Sequence, residues 1–338
     1  MASIEWAPVK LPFKRRLETL TVILIVHSFL FGHILGCGLM VLLLIFPATS
    51  LVAAIYLGWT YVMNYNKPSR GGRIIPWCRR LKMWKYFCEF FPISLIKTAD
   101  LDPQKNYIIC YHPHGIMSLG ALGNFCSEAT GFSEKFPGIT PHILTLAGNM
   151  KFPVTRDYMM AFGVCTVEKE SIHHIMERMG KGHAAVIVTG GAAESLDAHP
   201  GSFKITLKER KGFVKIAMKT GASLVPVFSF GENELYSQVD NPRGSSIRQW
   251  QTKMKNLMGF APPLFYGRGI FQYTYGILPH RRPINTVVGA PITVERNPQP
   301  SWEQVCELHK QYITALCELF DKHKIKYGIE KDVHLEIC

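Results

Sequence analysis

The stretch from Leu20 to Tyr65 contains no Asp, Glu, Lys or Arg, and its only basic side chains are His27 and His33. One spanning helix needs about 20 apolar residues, so this run is long enough for two, with Pro47 marking the turn between them. A signal peptide has a far shorter apolar core that ends at a small-residue cleavage site, which does not fit. A single tilted span followed by an interfacial helix is the other arrangement the run allows. Lys10, Lys14, Arg15 and Arg16 precede it, and Lys67, Arg70, Arg73, Arg79, Arg80, Lys82 and Lys85 follow. Loops rich in Lys and Arg stay on the cytosolic side, so a hairpin would leave both chain ends in the cytosol. The expected divisions are a basic cytosolic N-terminus at 1–18, a membrane hairpin at 19–65, a basic and aromatic interfacial segment at 66–98, and a cytosolic body at 99–338.

The net charge of +13 on 338 residues calls for anionic partners, either lipid headgroups or a phosphorylated small molecule. Nucleic acid is set aside, because the basic residues lie beside apolar segments and no nucleic-acid motif is present. Nine cysteines without paired spacing suit reduced thiols facing the cytosol. Trp77 to Glu89 mixes aromatic and basic residues, as a headgroup-level segment or an ordinary amphipathic helix would. Beyond it the pattern alternates: Tyr107–Cys110 extended, Ile116–Cys126 helical, His142–Leu146 extended, Ser171–Met179 helical, Ala184–Val188 extended, Gly212–Lys219 helical, then Leu224–Phe230 and Thr286–Val288 extended. A last helix spans about Trp302 to Lys324, and Asp240–Ser246 reads as a surface excursion. The expected fold class is α/β, a sheet with helices on its faces behind the N-terminal hairpin.

Chemistry concentrates at Tyr111-His112-Pro113-His114-Gly115, where an apolar strand gives way to a stiff turn and then to helical spacing. Pro113 pushes His112 toward an extended conformation, and Gly115 can take a positive φ that leaves the backbone open to a ligand. Imidazole suits proton transfer near neutrality, and N–H groups at Gly115 and Ile116 could receive a developing oxyanion. Two histidines are too few for zinc, and no Cys-x-x-Cys or His-Glu-x-x-His accompanies them, so no metal is expected. Glu194 closes Val186-Ile187-Val188-Thr189-Gly190-Gly191-Ala192-Ala193-Glu194 and falls at the same sheet edge if the two strands are neighbours. It is then a candidate to orient an imidazole, and otherwise an ordinary helix start. Arg156 can meet a phosphate or pair with Asp157, while Arg210, Lys211 and Lys215 sit at a helix start that suits phosphates or a solvated face. No nucleophile elbow of a serine hydrolase and no Gly-x-Gly-x-x-Gly is present.

Taken together, Phe90-Phe91-Pro92, Tyr111 to Gly115, Gly190 to Leu196, and Arg210 to Lys215 followed by Leu224 to Glu234 resemble the type 2 diacylglycerol acyltransferase family, which includes monoacylglycerol and wax-alcohol acyltransferases. The resemblance runs from Leu17 onward, and Arg70 to Arg73, Phe91 to Ala99, Asp197 to Gly201 and His334 to Glu336 lean toward the monoacylglycerol branch. It implies an acyltransferase-like mixed sheet in an endoplasmic-reticulum enzyme, also found near lipid droplets. That enzyme moves a fatty acyl group from acyl-CoA, a co-substrate, to monoacylglycerol or diacylglycerol, needs no cofactor, and is free to form a homo-oligomer. The family's Tyr-Phe-Pro motif falls on Phe90 to Pro92, with Phe90 replacing the Tyr, and adds Phe91 and Pro92 to Arg156, Gly190, Gly191, Arg210, Lys211 and Lys215 as expected substrate contacts. Glycerolphosphate acyltransferases, more remotely similar, place an Asp four residues beyond a His; Ser118 or Leu119 stands there here, which directs attention to Glu194.

The chemistry expects His114 to deprotonate the acceptor hydroxyl and His112 to position the turn. A covalent acyl-cysteine is disfavoured, because Cys110 and Cys126 lie in apolar settings without a base. Deleting Leu20 to Tyr65 is expected to cost activity even where detergent keeps the body folded. A membrane esterase and a non-catalytic lipid-binding protein are the readings from other classes.

Overall fold

The computed structural model describes residues 4–258 and 262–338, so residues 1–3 of the basic N-terminus lie outside the described residues. Helix α1, Phe13–Ile45, has 33 residues. At 1.5 Å per residue it is about 50 Å long, more than the roughly 30 Å of a bilayer's hydrocarbon core. It begins earlier than the composition suggests, directly after Pro12, and takes Lys14, Arg15 and Arg16 into its first turn. Helix α2, Pro47–Gly58, starts with Pro47 after an extended Phe46 and runs into a π-helical turn at Trp59–Met63. Proline at the first helical position lacks only an N–H that would have no partner there, which is why the chain breaks at this point. Among the described residues α1 alone is long and apolar enough to cross a membrane.

The two ends of α1 differ. Val22, Ile25 and Val26 are buried and join the main core, packed with Trp84 and Phe87 of the amphipathic helix α3, Lys82–Phe90. Further along, Ile34, Leu35 and Ile45 are exposed. Between them the body grips the helix: Thr155 Oγ1 donates to the Gly32 carbonyl at 2.9 Å, and His33 Nε2 lies 3.2 Å from the Asn149 carbonyl. Deleting Leu20 to Tyr65 would therefore remove three core side chains, Val22, Ile25 and Val26, as well as the apolar surface. Trp77 is exposed in a short helical turn at Pro76–Arg79, whereas Trp84 is buried on α3, so the Trp77–Glu89 segment breaks at Arg80 and Leu81 before an amphipathic packing helix.

The body is built on a seven-stranded sheet: β1 Ile93–Lys97, β2 Tyr107–His112, β3 Thr140–Thr145, β4 Val164–Thr166, β5 His183–Val188, β6 Ser223–Phe230 and β7 Ile284–Val288. Their order across the sheet is β1, β7, β6, β2, β5, β3, β4. All pairings are parallel except β7 with β6. In β2 alternate side chains go to opposite faces: Tyr107, Ile109 and Tyr111 meet the cluster that includes α1 and α3, while Ile108 and Cys110 meet the second cluster. Helices α4 Leu119–Phe125, α5 Thr155–Ala161, α6 Lys169–Glu177, α7 Gly212–Thr220, α8 Ser246–Met258 and α9 Trp302–His323 complete the fold. Ser301 opens α9 with a capping box shared with Gln304. α8 has no counterpart in the sequence reading. Ile247, Trp250, Met254 and Leu257 recur at helical spacing, but Trp250 and Leu257 are exposed, and the helix is held by amides: Asn241 Nδ2 donates to Gln251 Oε1 at 2.9 Å.

Candidate active site

Three parallel strands, β6, β2 and β5, lie side by side with β2 in the middle; Tyr111 pairs with Val227 on one side and Val188 on the other. Their carboxyl ends therefore deliver three segments to one edge of the sheet, the place where open α/β sheets bind ligands. β2 delivers the His112–Gly115 turn, β5 delivers Thr189 to Glu194, and β6 delivers Gly231 and Glu232.

His112 is fully buried on the α9 face. Its Nε2 lies 3.0 Å from Tyr312 Oη and 2.9 Å from Thr189 Oγ1, and burial pushes its pKa down to about 3. A neutral ring tied between two hydroxyls is a fixture of the core. His114 is half-buried, and burial likewise lowers its pKa, which keeps the free-base form present at neutral pH. Its Nδ1 lies 2.9 Å from the Gly115 carbonyl. A carbonyl only accepts, so Nδ1 carries the proton and Nε2 is left with its lone pair.

Gly115 takes φ +59, as the turn requires, and a Cβ there would come within 2.8 Å of Glu232 Cγ. Among the described residues the Gly115 and Ile116 N–H groups donate to no acceptor. They are not helix-end donors, however: a turn at 115–117 and Ser118, at φ +53, precede α4, which starts at Leu119. The Ile116–Cys126 helix is thus shorter than its apolar spacing suggests, because the stretch that would be its first turn serves the motif.

Glu194 is at the expected edge but grips a different partner. Its Oε1 accepts from the His114 backbone N–H at 2.6 Å and its Oε2 from Thr206 N–H at 2.7 Å. It orients the main chain that carries the imidazole, not the imidazole itself. Burial raises its pKa to about 7 against the pull of those two hydrogen bonds. Gly190 is forced by this arrangement, since a Cβ on it would overlap the Glu194 carboxylate. Gly190→Ala is expected to displace that carboxylate and lower turnover about 10-fold, read as kcat at saturating substrate.

Glu232 is the residue that sequence reasoning missed. It mirrors Glu194 from the other neighbouring strand: 2% exposed, its Oε2 accepts from Tyr111 Oη at 2.6 Å and from Gly120 N–H at 2.9 Å. Its Oε1 has no partner among the described residues, and burial raises its pKa to about 7. The signal was available in Phe230-Gly231-Glu232, an apolar strand ending in glycine and a carboxylate, as Val188 to Glu194 does.

Other expected contacts are distributed unevenly. Gly191 joins the site at φ +58, and Arg210 Nη2 lies 4.0 Å from where a Gly191 Cβ would be. Lys211 sits over the Trp302 ring at 5.0 Å, and Lys215 is exposed on α7. Phe91 is fully buried with its ring edge against Phe87 and Phe90, while Pro92 is exposed. Arg156 corrects the sequence reading outright: it is 1% exposed in α5, donates to the Asn64 carbonyl at 2.7 Å and faces the Tyr61 ring, where the chain leaves α2. Its charge fastens the N-terminal helices to the body. All nine thiols are free, and burial pushes Cys126 up to about 12 and Cys110 higher still, so neither is a ready nucleophile.

A family model described as diacylglycerol acyltransferase matches residues 42–338. The chain is 48% identical over 329 residues to 2-acylglycerol O-acyltransferase 1 of Bos taurus, covering 97% of this chain and 98% of that one. It is 49% identical over 326 residues to diacylglycerol O-acyltransferase 2 of Xenopus tropicalis, covering 96% and 89%. A solved 1-acyl-sn-glycerophosphate acyltransferase from Thermotoga maritima aligns over 94% of this chain with a TM-score of 0.41 and 11% identity.

Proposed function

Since the chain belongs to the diacylglycerol acyltransferase family, we propose that it is an acyl-CoA-dependent O-acyltransferase whose preferred acceptor is monoacylglycerol, with diacylglycerol as a second acceptor. The observation that supports this most is His114: a neutral, half-buried imidazole with Nδ1 bound to a carbonyl and Nε2 unengaged, on a turn whose backbone Glu194 holds.

In the proposed reaction His114 Nε2 takes the proton of the acceptor hydroxyl while the oxygen attacks the thioester carbonyl carbon. The carbonyl electron pair moves onto oxygen, where the Gly115 and Ile116 N–H groups receive the charge. When the tetrahedral intermediate collapses, the C–S bond breaks. The departing thiolate recovers the proton from the imidazolium, leaving free CoA and the new ester. A thiol of pKa about 8.5 is a good leaving group, so no covalent enzyme intermediate is needed.

The reaction would take place at the surface of the endoplasmic-reticulum membrane or a lipid droplet, with α1 and α2 as a hairpin and both termini in the cytosol. Support comes from the basic flanks and from the exposed apolar surface along the second half of α1 and on α2, including Ile45, Leu51 and Ile55. The acylglycerol would enter laterally from lipid and acyl-CoA from the cytosol.

The test is purified full-length protein in detergent with labelled oleoyl-CoA and monoacylglycerol, diacylglycerol and a fatty alcohol in parallel. The expected result is diacylglycerol as the fastest-formed product. Fastest formation of triacylglycerol or wax ester would reassign the acceptor. Release of free oleate without ester would make the protein an esterase.

A further inference from the structure

A solvent-open cavity of about 680 Å³ adjoins the short helical turn that carries Glu194, with Ala193, Asp197, Thr206, Arg243, Arg248 and Lys253 among its lining residues. The cavity wall and the reactive turn share structure: Ala193 precedes Glu194 in the chain, and the Thr206 N–H is one of the two donors that hold its carboxylate. The opposite wall is α8, which is fixed by the hydrogen bond that Asn241 Nδ2 donates to Gln251 Oε1 and by Arg248.

The charges on these walls are unbalanced. Asp197 is already paired with Arg248 at 2.9 Å, and Arg248 also donates to the Leu196 carbonyl. Arg243 and Lys253 are exposed and form no ion pair among the described residues, and neither does Arg210, which stands by Gly191. Two uncommitted cations on the wall of a cavity within the 300–1,000 Å³ range of ligand sites, with Arg210 near Gly191 on the neighbouring turn, call for a compact polyanion.

We propose that this cavity binds the phosphorylated nucleotide end of the acyl donor, an adenosine 3′,5′-bisphosphate unit, through Arg243 and Lys253. The inference rests on the acyl-CoA reading above and refines it. The basic residues at the α7 start, Lys211 and Lys215, give way to a pair on the loop before α8 and on α8 itself. A phosphorylated lipid headgroup offers similar chemistry. The position favours the acyl donor, because a thioester that reaches His114 must keep its phosphates within one pantetheine arm of that turn.

The experiment compares the full-length protein with the Arg243→Glu/Lys253→Glu double variant, whose exposed positions leave the core untouched. One arm measures kcat/KM for oleoyl-CoA and for oleoyl-pantetheine, which lacks the nucleotide. The preference for the full donor is expected to fall about 10-fold, and Arg243→Lys/Lys253→Arg should restore it to within about 2-fold. A second arm measures binding of adenosine 3′,5′-bisphosphate directly, with the same 10-fold weakening expected. A third measures binding to vesicles with and without phosphatidylinositol. An unchanged donor preference together with unchanged bisphosphate binding would overturn the proposal. So would selective loss of phosphatidylinositol-vesicle binding, which would assign the cavity to lipid. Charge-sensitive bisphosphate binding by a protein that transfers no acyl group would uphold the nucleotide site and overturn the acyltransferase reading instead.

Discussion

His114→Ala is expected to lower acyl transfer by about 1,000-fold or more while leaving the melting temperature within about 2 °C of the parent. The ring is half-buried, one nitrogen touches only the adjacent Gly115 carbonyl, and the Glu194 bond that shapes the turn reaches the His114 backbone N–H, which alanine retains. His112→Ala should do the reverse. It empties a fully buried site and takes the ring away from the Tyr312 and Thr189 hydroxyls that now meet it. A cavity plus a Thr189 hydroxyl left unpaired and a Tyr312 hydroxyl left with only its 3.5 Å contact to the Cys110 carbonyl costs about 4 kcal/mol, which for a chain of this length lowers the melting temperature by about 6 °C. Paired measurements of turnover and thermal unfolding in the same detergent separate the two roles. If His114→Ala kept near-normal turnover and His112→Ala lost it at an unchanged melting temperature, the base would be His112.

The different fates of these two imidazoles were only half legible in the sequence. The strand, the Pro113 turn and the positive φ at Gly115 follow from local chemistry, and they place both histidines at a sheet edge. Which ring faces the core follows from the period of β2: His112 belongs to the Ile108 and Cys110 face and therefore points at α9. The location of Glu194 was also legible, because two adjacent parallel strands must end together. Its partner was not, since that depends on the path of the main chain through His114 and on Thr206 arriving from elsewhere. Glu232 escaped notice because its meaning depends on strand order. Only with β6 known to lie against β2 does a carboxylate after Phe230-Gly231 become the counterpart of Glu194. Arg156 was misplaced for a related reason: a charge beside an apolar run looks available for phosphate until the N-terminal helices are seen to close over it. Helical periodicity overran at Ile116 and was passed over at α8, where Ile247, Trp250, Met254 and Leu257 carry it within a polar segment anchored by amides and an ion pair.

Glu232→Gln is expected to stabilise the protein at pH 8 by about 3 kcal/mol, or about 4 °C in melting temperature, with the gain vanishing as the pH falls below about 4.5. The folded pKa of about 7 stands above the ordinary 4.5, chiefly through burial, so the folded state binds this proton more tightly than the unfolded chain. Stability from such a group is greatest at low pH and is lost as the pH rises from about 4.5 through 7. Glutamine is a permanent copy of the protonated acid: its oxygen can accept from Tyr111 Oη and Gly120 N–H, and its amide nitrogen takes the place of Oε1, which has no partner to lose. The lowered pKa values of His112 and His114 act in the opposite direction, giving stability that is present above about 6.5 and lost as the pH falls. They are common to both proteins, so they cancel when the two melting curves are subtracted. Glu232→Ala, by contrast, leaves both donors facing a void and should be destabilised at every pH. A glutamine variant less stable than its parent at pH 8 would mean that the fold favours the carboxylate instead of penalising it, holding its pKa below 4.5 through the tyrosine and the Gly120 N–H. The turn beneath His114 would then rest on a buried anion.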